Sequence, residues 1–504
     1  MSPISQACVA EDSATSLREP SLSEFVGRFL NCEADSNFFE RKVEGKAIWD
    51  YLRYPVFEVL VHQWFHEHQG VELGLDYSVT YPDSLGHRLA VLLKEVGGLA
   101  RYLGRSLAYR PSDRADFLLM SYDRKNWIDG KRVNIQFHPL ASLLSKSHSV
   151  VVVDSSRFQE EMHYPCPVVR SRLLDFRAHR RARQIRYSSR DHGVFTGFQK
   201  DLEKALSVPL DLNKVLPLLS YQLALGREYR ALFHRFRPRT ILYSDTGLCK
   251  GWIEEAHRLG IEVIDCPHAL ISRYNILYQY PDTLYPDSVK GERLTTLPDR
   301  ILTFGEYWHR FFHLPVPLTA VGFPYFEMKR QELNGPALKR RDAILVISSM
   351  ISAQGLSKVA LGLARALPEF EILYKLRPDE YDGWRSRYPA AFQSQGNIRV
   401  IDQDTPRGEP PSLYELFQSS RYQLGINSTA LVEGLASGLV TFVLKEGWHM
   451  EMEAFVQEGS VFLVQSADEI ARMIREGKVP SKAVDPGELF RPGSRENIEA
   501  LWPT

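Results

Sequence analysis

The chain of 504 residues is poor in the features that mark several large protein classes. Its five cysteines, Cys8, Cys32, Cys166, Cys249 and Cys266, are scattered and show no CxxC spacing. That pattern excludes a disulfide framework and a zinc-ribbon centre, and it points to a reducing compartment. Net charge is also missing, since 62 basic residues meet 62 acidic ones. No global field therefore draws the chain to nucleic acid, which is not an expected partner, or to an anionic surface. No uninterrupted apolar run approaches the roughly 18–20 residues of a membrane-crossing helix. The opening MSPISQACVAEDSATS lacks a basic stretch followed by an apolar core. Export by a conventional signal peptide is thus not expected, and the cytoplasm is the expected location. Neither a GxGxxG turn nor a Walker loop is present, which argues against a dinucleotide-dependent dehydrogenase and a P-loop ATPase.

What the chain does have is length and rhythm. Its length exceeds what one core usually fills, so two large domains are expected. Residues 1–114 read as a polar leader and a helical appendage: AIWDYLRYPVFEVLVHQWF and HRLAVLLKEVGGLARYLGRSL space apolar residues three and four apart. From Ala115 short β-branched runs such as ADFLLMSYD and SVVVVDSS open a first α/β domain, residues 115–325. A linker is expected over 326–342, a second α/β domain over 343–480 and a tail over 481–504. In the second domain strand-like runs without period two alternate with helical ones (AILVISS, EILYKL, IRVID, YQLGI, VTFVLK, VFLV), which predicts a parallel sheet covered on both faces.

In such sheets ligands lie beyond the carboxyl ends of the strands. Those ends carry Ser348-Ser349, Lys375-Leu376-Arg377-Pro378, Asn427-Ser428-Thr429 and Lys445-Glu446. Hydroxyls and amide groups at a helix start, with Lys and Arg nearby, suit a phosphate or diphosphate. Capping of the helix predicted over 430–438 is the plainer use of Asn427-Ser428-Thr429, but three capping-capable residues exceed what one helix needs. Glu433, on that helix, joins the donor-binding candidates. In the first domain TILYS ends at Asp245 and IEVID leads to His268, so two proton acceptors close one βαβ unit and face the same edge.

With those residues in view, the stretches INSTALVEGLASGLVTFVL and ILYSDTGLCKGWIEEAHRLGIEVIDCPHA resemble GT-B glycosyltransferases. The nearest likeness is to enzymes of bacterial surface polysaccharide (capsule, lipopolysaccharide) synthesis that use CMP-sialic acid or CMP-Kdo. The resemblance implies two Rossmann-like domains facing across a cleft, with Ser244-Asp245-Thr246-Gly247, Arg377-Pro378 and Ser428-Thr429 in place of that group's motifs. It implies Asp245 as general base, with His268 the other candidate, and Arg377, Ser428 and Thr429 at the donor nucleotide. Two positions depart from the pattern: the acidic doublet is Asp-Thr here, and Arg377 stands where a His precedes Pro. A UDP-, GDP- or CDP-linked donor therefore stands beside a CMP-sugar. UDP-GlcNAc 2-epimerases and polyol-phosphate transferases look similar too, and a non-catalytic binding scaffold is the reading from another class.

The expected partners are a nucleotide-sugar donor and a glycan or lipid-linked acceptor, with no cofactor. Asp402-Gln403-Asp404 has the spacing of a metal site but reads as loop polarity, and no metal is expected. The basic run Arg170–Arg190 reads as a solvated helical face. The segment from His87 to Arg114, with Arg88, Lys94, Arg101, Arg105 and Arg110, is a candidate for peripheral contact with the inner membrane.

Overall fold

The computed structural model describes residues 21–43, 45–69, 114–122, 125–128, 131–156, 162–245, 247–268, 270–284, 294–332, 342–349, 352–377, 380–381, 384–402 and 411–503. The segment 87–113, Thr246, Pro378, Gln403, Asp404 and most of the linker lie outside them.

The first sheet is built from β1 (Phe117–Ser121), β2 (Val150–Asp154), β3 (Val168–Arg170), β4 (Thr240–Tyr243), β5 (Glu262–Asp265), β6 (Arg300–Thr303) and β7 (Leu318–Ala320). Its seven strands run in the order β7-β6-β5-β4-β1-β2-β3, and every pairing is parallel. The second sheet holds β8 (Ala343–Ile347), β9 (Glu371–Lys375), β10 (Ile398–Ile401), β11 (Tyr422–Gly425), β12 (Val440–Leu444) and β13 (Phe462–Val464). Its order is β10-β9-β8-β11-β12-β13, again parallel throughout. The expected α/β class, with two doubly wound parallel sheets, is the one observed. In both sheets the chain reverses direction beside its first strand, between β1 and β4 and between β8 and β11, and such a reversal opens a crevice at the carboxyl edge.

The continuous apolar runs follow from this layering. Along β8, Ile344 and Val346 join one apolar cluster while Ala343, Leu345 and Ile347 join the other. Along β1, Leu118 faces one core and Phe117 and Leu119 face the opposite one. Both faces are dry, so the two-residue period vanishes from the hydrophobic pattern.

The N-terminal helices α1 (Leu22–Asp35) and α2 (Trp49–Gln69) are built into the first domain rather than hung from it. Trp49 packs edge-on against Phe38 at 4.5 Å between centroids and, tilted by 31°, against Phe198 at 4.9 Å. Arg53 is fully buried, gripping Glu33 through two bonds of 2.7 and 2.8 Å and donating to the carbonyls of Ile276 (2.5 Å) and Gln279 (2.7 Å). Pro55 interrupts α2 and has no N–H for the carbonyl of Tyr51. The side chain of Gln222 donates to that carbonyl instead, at 2.7 Å.

Three more helices frame the site. The basic run includes α3 (Arg172–Ala182), α4 (Leu212–Phe236) lies against α2, and α5 (Lys250–Arg258) follows β4. Helices α4 and α5 meet backbone to backbone at Gly226 and Gly251. A Cβ on Gly251 would stand 2.0 Å from the carbonyl oxygen of Gln222. Gly251→Ala gains about 1 kcal/mol of helix propensity, but the neighbour is backbone and cannot swing away. The helices must separate, and the expected net loss of stability in chemical denaturation is about 1–3 kcal/mol.

Candidate functional site

The carboxyl edge of the first sheet is organised around His268. It lies just past β5, half-buried, with Nδ1 2.6 Å from the Ser244 hydroxyl at the end of β4. Its ring leans on Tyr122, beyond the end of β1, at 4.3 Å between centroids. Tyr122 is fixed in turn: its hydroxyl donates to Gln136 (2.5 Å), whose amide donates to the Cys266 carbonyl (2.5 Å). The imidazole therefore has one face and one nitrogen set by the scaffold, as a proton-transfer group requires.

Asp245 has a different environment. Its Oδ1 accepts from the Gly247 amide (2.7 Å) and the Cys249 thiol (3.1 Å), and its Oδ2 pairs with the buried Lys250 ammonium (3.2 Å). Gly247 carries φ +74, a conformation that closes the turn on this carboxylate and favours glycine. The side chain of Asp245 is 3% exposed. Burial pulls the Lys250 ammonium down, but Asp245 and Asp50 outweigh it and hold its pKa well above the usual lysine range. Asp50, from α2, stands 3.7 Å from Lys250 and accepts from Tyr280 at 2.7 Å. Next to them Asp265 accepts from the Asp245 amide (3.0 Å) and from Tyr278 (3.0 Å). Burial, and then the neighbouring Asp245, push the Asp265 carboxyl well above the ordinary carboxylate range. Asp245 thus closes a turn and neutralises a buried cation.

Helix α6 (Pro324–Glu332) leads out of the first domain; in the second, Ser428 caps helix α7 (Thr429–Ala436), its hydroxyl accepting from the Ala430 amide at 3.1 Å. Asn427 does not cap. Its amide reaches across to Glu451 at 2.6 Å and ties down the loop after β12, while burial drives the Glu451 carboxyl up to about 7. Thr429 is the first residue of the helix. Glu433 lies on the buried side of α7 and accepts from Tyr414 at 2.5 Å, so it holds the core together rather than lining the strand ends.

Ser348, at the end of β8, is buried and donates to Glu380 at 2.8 Å; the Arg377 amide donates to the same carboxylate at 3.0 Å. Ser349, also buried, follows it. Lys375 ends β9 with Nζ 2.7 Å from the Tyr381 hydroxyl, and burial lowers its pKa to about 8. Arg377 is exposed. Asp402 is buried and accepts from Trp384 (2.7 Å), so that acid is engaged in packing. Among the described residues no group of three or more His, Cys, Asp or Glu side chains is placed to hold a metal ion, and no helix is long and apolar enough to cross a membrane.

The two edges meet through a short chain of contacts. Five and six residues beyond His268, Arg273 and Tyr274 both bond Glu453, the tyrosine at 2.5 Å, and Glu453 lies two residues from the Glu451 that holds Asn427. Sequence patterns show no sign of Tyr122, Gln136, Lys250, Glu451 or Glu453, because each acts through a partner remote in the chain or hidden by the turn. Glu446 is visible as a strand-end residue. Its Oε2 is buried without a hydrogen-bond partner, and it lies so close to Gly355 that a Cβ there would stand 1.9 Å away. A buried acceptor left unmade is costly, so Glu446 is suited to receive a ligand hydroxyl.

No protein-family model matches the chain, and no curated protein matches it. Among solved structures it is similar to UDP-GlcNAc 2-epimerase from Neisseria meningitidis bound to UDP-GlcNAc, with 14% identity, 76% of this chain and 98% of that chain covered, and a TM-score of 0.45. It is similar to the glycotransferase of kitacinnamycin, with 15% identity, 77% and 95% covered and a TM-score of 0.39. It is also similar to MurG from Acinetobacter baumannii, with 9% identity, 76% and 98% covered and a TM-score of 0.43.

Proposed function

We propose that the chain is a glycosyltransferase that moves a sugar from a nucleotide-activated donor, a CMP-sugar in first preference, to a growing surface polysaccharide or a lipid-linked acceptor. The observation that carries this reading is the imidazole of His268, fixed by Ser244 and Tyr122 at the carboxyl edge of the first sheet, together with the capped start of α7 at the carboxyl edge of the second. His268 accepts the proton of the acceptor hydroxyl as that oxygen bonds to the anomeric carbon and the bond to the donor phosphate breaks. The leaving phosphate gathers the negative charge. The start of α7, with Ser428 and Thr429, faces it with amide dipoles, and Lys375 and Arg377 supply full charges. Ser349 lies on the same edge, Glu446 accepts from a donor hydroxyl, and Asp245 keeps the turn that presents His268's neighbour Ser244.

The test is nucleotide release from CMP-, UDP- and GDP-sugars with and without glycan acceptors, together with nucleotide binding. Acceptor-dependent release supports transfer. Interconversion of a nucleotide sugar with no acceptor present would replace it by the epimerase reading, and failure to bind any nucleotide would sink both. Lys375 adds a pH signature. With its pKa lowered to about 8, its charge is present at pH 7 and fades as pH rises through that value, so affinity for the anionic nucleotide falls over that window. Lys375→Met should flatten the pH dependence and weaken binding at pH 7 by about 10- to 100-fold, the equivalent of roughly 1.5–3 kcal/mol for a hydrogen bond to a charged group.

A further inference from the structure

A cavity of about 570 Å³ opens on the helical side of the first domain, between α2, the C-terminal end of α3 and the first turns of α4. That volume lies in the range of roughly 300–1,000 Å³ over which ligand pockets occur. Prolines shape two of its walls: Pro55 in α2 and Pro217 in α4 both line it, and each breaks the regular bonding of its helix. The remaining wall is largely apolar, including Tyr54, Val59, Leu216, Leu218 and Leu248. The rim is cationic: Arg183 and Arg186 lie just past the end of α3, where Arg186 also donates to the Arg183 (2.5 Å) and Ile185 (3.1 Å) carbonyls, and Lys214 lies at the start of α4, against a single lining carboxylate, Glu58, which faces His62 at 3.5 Å. The positive end of the α4 dipole adds to that field.

The cavity backs onto the candidate site. Tyr54, one of its walls, presses on the turn that holds Asp245, where a Cβ on Gly247 would stand 2.3 Å from the Tyr54 Cγ. Leu248, next in the chain, lines the cavity itself.

We infer that this cavity binds a phosphate-bearing lipid, with the chain against the apolar wall and the phosphate at the Arg183–Arg186–Lys214 rim. The apolar wall disfavours a purely polar anion, and the three cations at the rim match a phosphate in sign and offer it charge-assisted hydrogen bonds. On α3, one turn before His179 at the cavity, Phe176 is 63% exposed among arginines, a pairing that partitions to an anionic bilayer surface, where such lipids reside. The binding stands independently of the transferase reading; only the assignment of this lipid as the sugar acceptor rests on it.

The test is calorimetric titration of the full chain, with no nucleotide present, using farnesyl phosphate, farnesol and inorganic phosphate. Farnesyl phosphate is expected to bind at least tenfold more tightly than either of the others. The exposed pair Arg186→Glu/Lys214→Glu should weaken it at least tenfold, and Leu218→Trp, which fills the cavity, should abolish it with an unchanged circular dichroism spectrum. Equal affinity for farnesol would overturn the role of the cationic rim, equal affinity for inorganic phosphate would overturn the lipid, and an unaffected charge-reversed pair would overturn the site. Because nucleotide binding is measured separately, failure here leaves the transferase reading standing, and the converse holds.

Discussion

Replacing His268 with Ala lowers kcat by about 10²–10⁴-fold while nucleotide affinity stays within about twofold, the range set by loss of a positioned acid–base group. His268 lies on the first-domain sheet edge and the phosphate candidates on the second, so ground-state donor binding has no reason to change. Its surroundings also make a graded series possible. Ser244→Ala removes the 2.6 Å contact at Nδ1 and Tyr122→Leu removes the neighbouring ring; each leaves the imidazole in place but loosely held. Each should therefore cost less than His268→Ala. Single-turnover transfer and equilibrium nucleotide binding on the same preparations check the series. A His268→Ala variant with wild-type kcat would remove the imidazole from the mechanism.

Asp245 gives the other large effect, and it falls on stability. Asp245→Ala leaves the Lys250 ammonium buried with Asp50 at 3.7 Å as its remaining carboxylate neighbour, and stranding one partner of a buried ion pair costs about 3–5 kcal/mol. The same change frees the Gly247 amide and the Cys249 thiol. Urea denaturation reads this directly. Asp245→Ala/Lys250→Met, which removes both charges, should recover a large part of the loss, whereas kcat per folded molecule should remain within about tenfold of wild type, far from the loss expected of a base. A collapse of kcat in a stably folded Asp245→Asn variant would reverse the two roles and make the carboxylate the proton acceptor.

These roles show how far the sequence reaches. Strands such as AILVI and VVVVD can be recognised because a parallel sheet buries both faces, and short apolar runs between helical stretches match that burial on both sides. The three-residue strand Val168–Arg170 has no such mark: it is half-exposed and ends in an arginine. The N-terminal helices are recognisable as helices but not as part of the core, because Arg53 finds the Ile276 and Gln279 carbonyls more than 200 positions away. The polar group Asn427-Ser428-Thr429 divides its labour in a way spacing alone does not show, since Ser428 caps and Asn427 holds a loop. Asp245 and His268 look equivalent as strand-end residues. Lys250, which turns back onto one of them, separates them.

The C-terminal tail crosses back to the first domain. Trp308 donates to the Leu489 carbonyl at 2.8 Å, Glu327 accepts from the Gly493 and Ser494 amides at 3.1 and 2.8 Å, Phe490 packs on Phe326 at 4.3 Å and Trp502 packs edge-on against Phe117 at 5.1 Å. The polypeptide therefore passes between the domains twice, once after α6 and again before Pro486. A single tether lets one body twist and swing about the other in any direction. Two separated crossings hold the bodies at two points, so their relative placement is fixed more closely than one crossing would fix it. Whatever enters between the sheet edges thus meets two bodies whose relative placement is held at both ends of the second domain.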